Sequence, residues 1–303
     1  MEKGVEIKMK SAFITVCGRA NVGKSTLMNA LIGEKVSIIS NKPQTTRNKI
    51  TGIYNAPGVQ LVFIDTPGIH EPKNKLGEHM LKEIGAALDE VDIILLVAEC
   101  RKPGRQEMNL LSRFRGRTVI LVLNKIDKVP KKDVAEAIMA YSDIFEFRSV
   151  VPVSALKKDG IDIIMNEILA LAEDGEAYYP EDSYTSQTVR QMASEIVREK
   201  ILRNMYEEIP HGIAVEPIVF RERQNKNGET VTDIVMNIIC EREAHKGMII
   251  GKNGNMLKKI ASYAREDIEK LLQTKVYLEC HVKVKENWRD NEKIINELGI
   301  YNE

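Results

Sequence analysis

At 303 residues the chain has room for about two domains. Lys and Arg total 44, as do Asp and Glu, so no overall charge marks a nucleic-acid or membrane partner, and any such surface must be local. Apolar runs of only several residues, a charged N-terminus and four scattered cysteines argue against membrane spans, a secretory leader, a zinc site and a disulfide framework, leaving a reduced cytoplasmic protein as the expectation.

The apolar run Ala12 to Cys17 reads as a strand, and 23–32 as a helix. Between them lies Gly18-Arg19-Ala20-Asn21-Val22-Gly23-Lys24-Ser25, followed by Thr26. Strand, glycine-rich loop and helix at this spacing form a phosphate-binding loop. Gly18 and Gly23 let the backbone wrap an anion where a side chain would collide. The loop amides and the helix N-terminus aim donors at it. Lys24 reaches the β- and γ-phosphates, and the Ser25 hydroxyl can ligate Mg²⁺.

Next comes the polar segment Ser40 to Arg47, before a strand at 49–55. A threonine there can ligate Mg²⁺ only when a γ-phosphate is present, which makes the segment a switch. Thr45 and Thr46 both fit, and Thr46 is favoured. A strand at 60–64 leads into Asp65-Thr66-Pro67-Gly68, whose carboxylate can hold Mg²⁺ and whose Gly68 amide can meet a γ-phosphate. Ile69 follows, where Ras-like enzymes carry the Gln that orients water. Strands at 91–97, 118–123 and 148–153 alternate with helices at 78–88, 104–114, 132–141 and 160–172. That alternation implies a doubly wound, mostly parallel sheet. The strand at 118–123 ends in Asn124-Lys125-Ile126-Asp127, where Asp127 can accept from the ring N–H and amino group of guanine, donors that adenine lacks there. The last strand runs into Ser154-Ala155-Leu156, where a backbone amide can face the guanine oxygen. Singly, each of these tetrads reads as a turn or a helix cap. Together, in order, each at the carboxyl end of a strand, they read as a guanine-nucleotide site.

Residues 175–186 are acidic, with Gly and Pro and no apolar period, and read as a linker between domains at 1–174 and 187–303. The second part has a different order: a helix at 187–206, strands at 211–221 and 230–240 joined by an Asn-Gly hairpin signal, a helical turn at 244–250, a helix at 255–273, a strand at 275–285 and a helix at 287–298. Gly251-Lys252-Asn253-Gly254 sits between two of the helices. Such a turn lets a sugar-phosphate backbone approach closely, as in KH domains. From Ala244 to Ala264 there is no acid, while Lys246, Lys252, Lys258 and Lys259 cluster there. Ile249 and Ile250 belong to an apolar group that is mostly core, one or two members of which are expected to line a base-binding groove.

A P-loop GTPase domain followed by an α+β domain of type II KH order resembles one family, the Era GTPases of bacteria. The likeness rests on Gln44-Thr45-Thr46-Arg47, the four nucleotide motifs, the Gly251 to Gly254 turn and Lys283-Val284-Lys285-Glu286-Asn287-Trp288-Arg289. It implies GTP hydrolysis coupled to maturation of the small ribosomal subunit, a grip on the 3′ end of 16S rRNA, peripheral contact with the inner membrane, and a monomer. It also implies that an apolar residue replaces the Ras Gln, as Ile69 does, and that Asn21 ligates K⁺ as activator, supplying charge where Ras uses an arginine finger. Two other readings compete: an RNA chaperone for which GTP is only a structural ligand, and a tRNA-modification GTPase, whose catalytic cysteine or folate domain is not visible.

Overall fold

The computed structural model describes residues 9–40, 42, 45–68, 74–89, 91–205, 212–298 and 300. The chain forms two compact units, with most of the residues to Ser186 in the first and Gln187 onward in the second.

In the first unit, β1 (Met9–Cys17), β4 (Ile93–Glu99), β5 (Val119–Asn124) and β6 (Ser149–Val153) are parallel neighbours, and β3 (Val59–Asp65) lies parallel on the other side of β1. Central strands buried on both faces read as unbroken apolar runs, which is why Ile93 to Ala98 and Val119 to Asn124 are buried without alternation. β2 (Ile50–Ala56) pairs antiparallel with β3 at the sheet's end, giving the order β2-β3-β1-β4-β5-β6. The helices α1 (Lys24–Ile32), α2 (Lys75–Asp89), α3 (Arg105–Arg113), α4 (Lys131–Ser142) and α5 (Ile161–Leu171) come between the strands. In α2 the buried Leu76, Met80, Ile84 and Ala87 recur at helical spacing and form one apolar stripe.

The acidic stretch after α5 is ordered against this unit. Glu173–Gly175 forms β7, antiparallel to the start of β1. Fully buried Gln60 accepts from Tyr178 N (2.6 Å) and Tyr179 N (3.0 Å) and donates to Tyr179 O (2.9 Å). Further on, Ile53 N donates to Tyr184 O at 3.0 Å and Asn55 Nδ2 to Ser183 O at 2.8 Å, so the stretch runs along the free edge of β2. No apolar period announces this strap, because backbone groups, the amides of Gln60 and Asn55, the Thr185 hydroxyl and a single Phe13–Tyr178 ring contact hold it, not a hydrophobic stripe.

The second unit opens with α6 (Val189–Asn204), whose Thr188 and Gln191 form a reciprocal N-terminal cap. β8 (Ala214–Gln224) and β9 (Thr230–Cys240) make a hairpin whose Gly228 has φ 78°. α7 (Glu243–Ile250) and α8 (Asn255–Leu272) follow, then β10 (Lys275–Val284), parallel to β9, in the order β10-β9-β8. Ile260, Ala264 and Ile268 form the buried stripe of α8. The single helix expected at 287–298 is broken: a 3-10 turn at Trp288–Asp290 precedes α9 (Glu292–Glu297). Asn291 causes the break, its side-chain oxygen accepting from Lys293 N and Ile294 N as a helix cap. Trp288 is fully buried and donates to Gly212 O at 2.9 Å, and Arg289 pairs with both oxygens of Glu241, so this part of the C-terminal motif anchors the fold.

Candidate functional site

The nucleotide motifs of the first unit gather at the carboxyl ends of β1, β3, β5 and β6, the crevice where open parallel sheets bind ligands. Gly18 has φ 144°, and a Cβ there would lie 2.2 Å from Val97 O. Gly23 has φ 101° and stands against Asn124, so both positions need glycine. Arg19 and Ala20 are half-buried, Asn21 is exposed and Val22 is buried. Lys24 is 6% exposed and its ammonium turns back onto Gly18 O (3.3 Å) and Arg19 O (3.1 Å). Thr26 follows Ser25 in the first turn of α1, whose N-terminus opens behind the loop.

Asp65 is fully buried, and its Oδ2 accepts from Ser25 (2.6 Å), Ser37 (3.0 Å) and Thr46 (3.3 Å). Ser25 Oγ and Thr46 Oγ1 are 3.1 Å apart. Thr45 points elsewhere, donating to Lys42 O at 2.6 Å. Burial pushes the Asp65 carboxyl up and the Lys24 ammonium down, against their mutual attraction. The other carboxylate oxygen, Oδ1, is buried and has no hydrogen-bond partner among the described residues. Converging hydroxyls beside an orphaned carboxylate oxygen are a donor set for a hard, oxygen-seeking cation. Ser37 escaped the sequence reading because it lies in no motif; Asn29 of α1 holds it by accepting from its amide at 2.9 Å. Gly68 packs against the phosphate loop, since a Cβ there would come within 2.8 Å of Ala20 Cα. Ile69 and Gln44 lie outside the described residues.

The base end is tied together by Asn124. Its Nδ2 donates to Val22 O (2.8 Å), and its Oδ1 accepts from Lys125 N (2.8 Å) and Ala155 N (3.0 Å). One buried amide thus joins three motifs far apart in sequence. Asp127 is oriented by Ser154, whose hydroxyl donates to Oδ1 at 2.6 Å and holds the carboxyl below the usual aspartate range. It stays ionised at neutral pH as an acceptor for N–H donors. Leu156 is 74% exposed, open to solvent beside this end. Lys125, at φ 67°, donates to Asn21 O (2.5 Å) and to Glu99 Oε1 (2.6 Å), a carboxylate the motif reading did not single out.

In the second unit the Gly251 turn links α7 to α8. Gly251 (φ 72°), Asn253 (φ 54°) and Gly254 (φ 75°) all carry left-handed or related backbone. A Cβ at Gly251 would lie 2.6 Å from Met256 Cβ, while one at Gly254 meets no atom of the described residues within 4 Å. Lys252, Asn253, Lys258 and Lys259 are exposed, and Lys246 is partly neutralised by Glu243 at 3.7 Å. The expectation for Ile249 needs correcting: it is fully buried in the unit's core, so its side chain offers nothing to a ligand. Ile250 is half-buried, and the preceding Met248 is 55% exposed. Helical rotation of about 100° per residue separates the neighbours in this way.

Known proteins match both units. A family model for a 50S ribosome-binding GTPase covers residues 13–125, and a KH domain model covers 208–289. The chain is 49% identical to GTPase Era of Clostridium botulinum (strain Hall) over 97% of its own length and 99% of that protein. Against GTPase Era of Ruminiclostridium cellulolyticum the identity is 46%, over 96% of this chain and 97% of that protein. The fold superposes with TM-score 0.92 and 38% identity on a crystal structure of Aquifex aeolicus Era bound to GDP·AlF4⁻, covering 97% of this chain and all of the other. The same values hold for Era in complex with MgGDPNP and nucleotides 1506–1542 of 16S ribosomal RNA. A nucleotide crevice in one unit, a glycine turn between helices in the other and this likeness along nearly the whole chain place the protein in the Era family of GTPases, with a GTP-hydrolysing domain followed by a KH domain.

Proposed function

We infer that this GTPase is a GTP-driven RNA-binding switch that grips the 3′ end of 16S rRNA and acts in assembly of the small (30S) ribosomal subunit. One observation carries the reading: a single chain pairs an Asp127–Ser154 base clamp and phosphate loop with a lysine-flanked Gly251 to Gly254 turn. The related Era bound to a 16S fragment supports the choice of RNA.

The roles divide along the crevice. Gly18 to Thr26 wrap the phosphates, and Lys24 neutralises charge that develops on them. Asn124, Lys125, Asp127 and Ser154 to Leu156 hold guanine. Ser25 and Thr46, with Asp65 behind them, hold Mg²⁺, and the geometry at Asp65 Oδ2 favours Thr46 over Thr45. Bound there, Mg²⁺ neutralises charge on the β- and γ-phosphates. Thr46 reports the γ-phosphate to the switch segment, and Gly68 offers its amide to the same group. Asn21, exposed at the lip of the loop, serves K⁺ as activator. Lys246, Ile250, Gly251, Lys252, Asn253, Gly254 and Lys258 form the RNA surface. Residues 175–186, read from sequence as a linker, run along the first domain and lead into the second at Gln187, and the protein acts as a cytoplasmic monomer. Contact with the inner membrane is peripheral; among the described residues no helix is long and apolar enough to cross one.

Crosslinking the GTP-bound protein to cellular RNA and mapping the contacts tests this reading. Crosslinks are expected at the 3′ end of 16S rRNA and around Gly251 to Gly254. Crosslinks concentrated on tRNA overturn it in favour of a modification enzyme. GTP turnover that stays undetectable with that RNA and K⁺ favours a chaperone with a structural nucleotide.

A further inference from the structure

One carboxylate at the base end is explained by no nucleotide motif. Glu99 is the last residue of β4, and parallel pairing sets it level with Asn124 on β5. The residue after Asn124, Lys125, is turned by its left-handed backbone so that its ammonium bridges Glu99 Oε1 and the carbonyl of Asn21. Asn21 is itself left-handed, at φ 64°, in the middle of the phosphate loop. A continuous chain therefore runs from the end of β4, through the base loop, to the phosphate loop. Partial burial works against a charge on Glu99, yet the Lys125 hydrogen bond and charge, with Arg101 and Arg19, hold its carboxyl below the usual glutamate range. It is ionised whenever the protein is near neutral pH.

A second carboxylate shows what a structural role looks like. Glu107 reaches Arg19 of the phosphate loop at 3.5 Å, but it is buried and accepts from Gly104 N at 3.1 Å to cap α3. Glu99 caps no helix, and its side chain is 38% exposed. A pair that open adds little to global stability. What it does is local. Without a second acceptor the long, freely rotating arm of Lys125 is less often at Asn21 O, and the loop is less often held.

We propose that Glu99 is a positioning residue for nucleotide: acting through Lys125, it holds Asn21 and the phosphate loop in the form that retains the ligand. This rests on reading the crevice as a guanine-nucleotide site. Because the tie contacts loop backbone and not the γ-phosphate, it supports GDP and GTP alike, and its loss speeds release more than it slows capture.

The test is stopped-flow binding of fluorescent GDP and GTP to the full chain. Glu99→Ala is expected to raise both Kd values about five- to tenfold, the effect of one charge-assisted hydrogen bond discounted for solvent. The rise should come mainly from faster dissociation, with kcat at saturating GTP within about twofold of wild type. Glu99→Gln keeps an acceptor oxygen and should recover most of the loss. In a Lys125→Met background, Glu99→Ala should change Kd by less than about twofold, because the two act as one unit. Unchanged Kd values in Glu99→Ala overturn the proposal. So does a full-sized loss in the Lys125→Met background, or a loss matched by a lower unfolding temperature of the nucleotide-free protein. Failure of wild type itself to bind GDP overturns the reading of the crevice instead.

Discussion

Gly23 and Gly254 both carry left-handed backbone at the entrance to a helix, at φ 101° and 75°. A Cβ at Gly23 would meet Asn124 Nδ2 at 2.3 Å, whereas one at Gly254 would meet no described residue within 4 Å. Both turns suit phosphate, but only the first is walled. Around it stand fully buried Asp65, nearly buried Lys24 and the Asn124 bonds that join three motifs. The second turn is rimmed by exposed Lys252, Asn253 and Lys258. A walled cradle reads one small ligand by hydrogen-bond pattern in low dielectric, where a wrong group is costly. An open turn meets a polymer backbone, where neutralised phosphates and released counterions dominate.

Perturbing each turn by its own chemistry separates them. The largest effect is expected at the walled site. Asp127→Asn should cost about 10²-fold in GTP affinity, the loss of charge-assisted bonds to guanine, and shift preference toward xanthosine triphosphate. Competition binding with both nucleotides checks it, and unchanged GTP preference would remove Asp127 from the base site. At the open turn, the double change Lys252→Asp and Asn253→Asp should weaken RNA binding about tenfold or more. It should also flatten the salt dependence by about one unit of slope for each phosphate that is no longer neutralised. GTP affinity should hardly move. RNA affinity and slope that survive this change would make the turn merely structural.

The glycines give the direct contrast. Gly23→Ala must displace Asn124 and should weaken GDP binding about tenfold by calorimetry, an effect of roughly one lost hydrogen bond. Gly254→Ala carries only the left-handed penalty of about 1–2 kcal/mol, which thermal unfolding reads. Equal effects on nucleotide and RNA binding from the two changes would erase the distinction. Smallest is the cation effect. Turnover should be about three- to tenfold faster in KCl than in NaCl at equal ionic strength, near 1 kcal/mol at the transition state, and the difference should vanish in Asn21→Ala. Equal rates in the two salts would end the case for K⁺.

Whatever has a local signature was legible in the chain alone. Apolar runs marked the buried strands, helical spacing marked stripes such as Ile260, Ala264 and Ile268, and glycine with Lys24 and Ser25 at fixed offsets marked the phosphate loop. The Asn124 to Asp127 motif was legible as the end of a buried apolar strand, with Asp127 two residues past Lys125. What depends on residues distant along the chain was settled by folding. Ser37 meets Asp65 because Asn29 of α1 holds its loop there, and Glu99 meets Lys125 because β4 and β5 pair in that register. Met248 is exposed while Ile249 is buried because helical rotation and neighbouring elements choose the face, which an apolar run does not encode. The strap along β2 was likewise invisible, since its partners are backbone groups, the amides of Gln60 and Asn55 and one aromatic contact, none of which leaves a period in the sequence. Periodicity records which side chains avoid water. It is silent on hydrogen bonds between segments, whose donors and acceptors every sequence contains and which only the fold brings within reach.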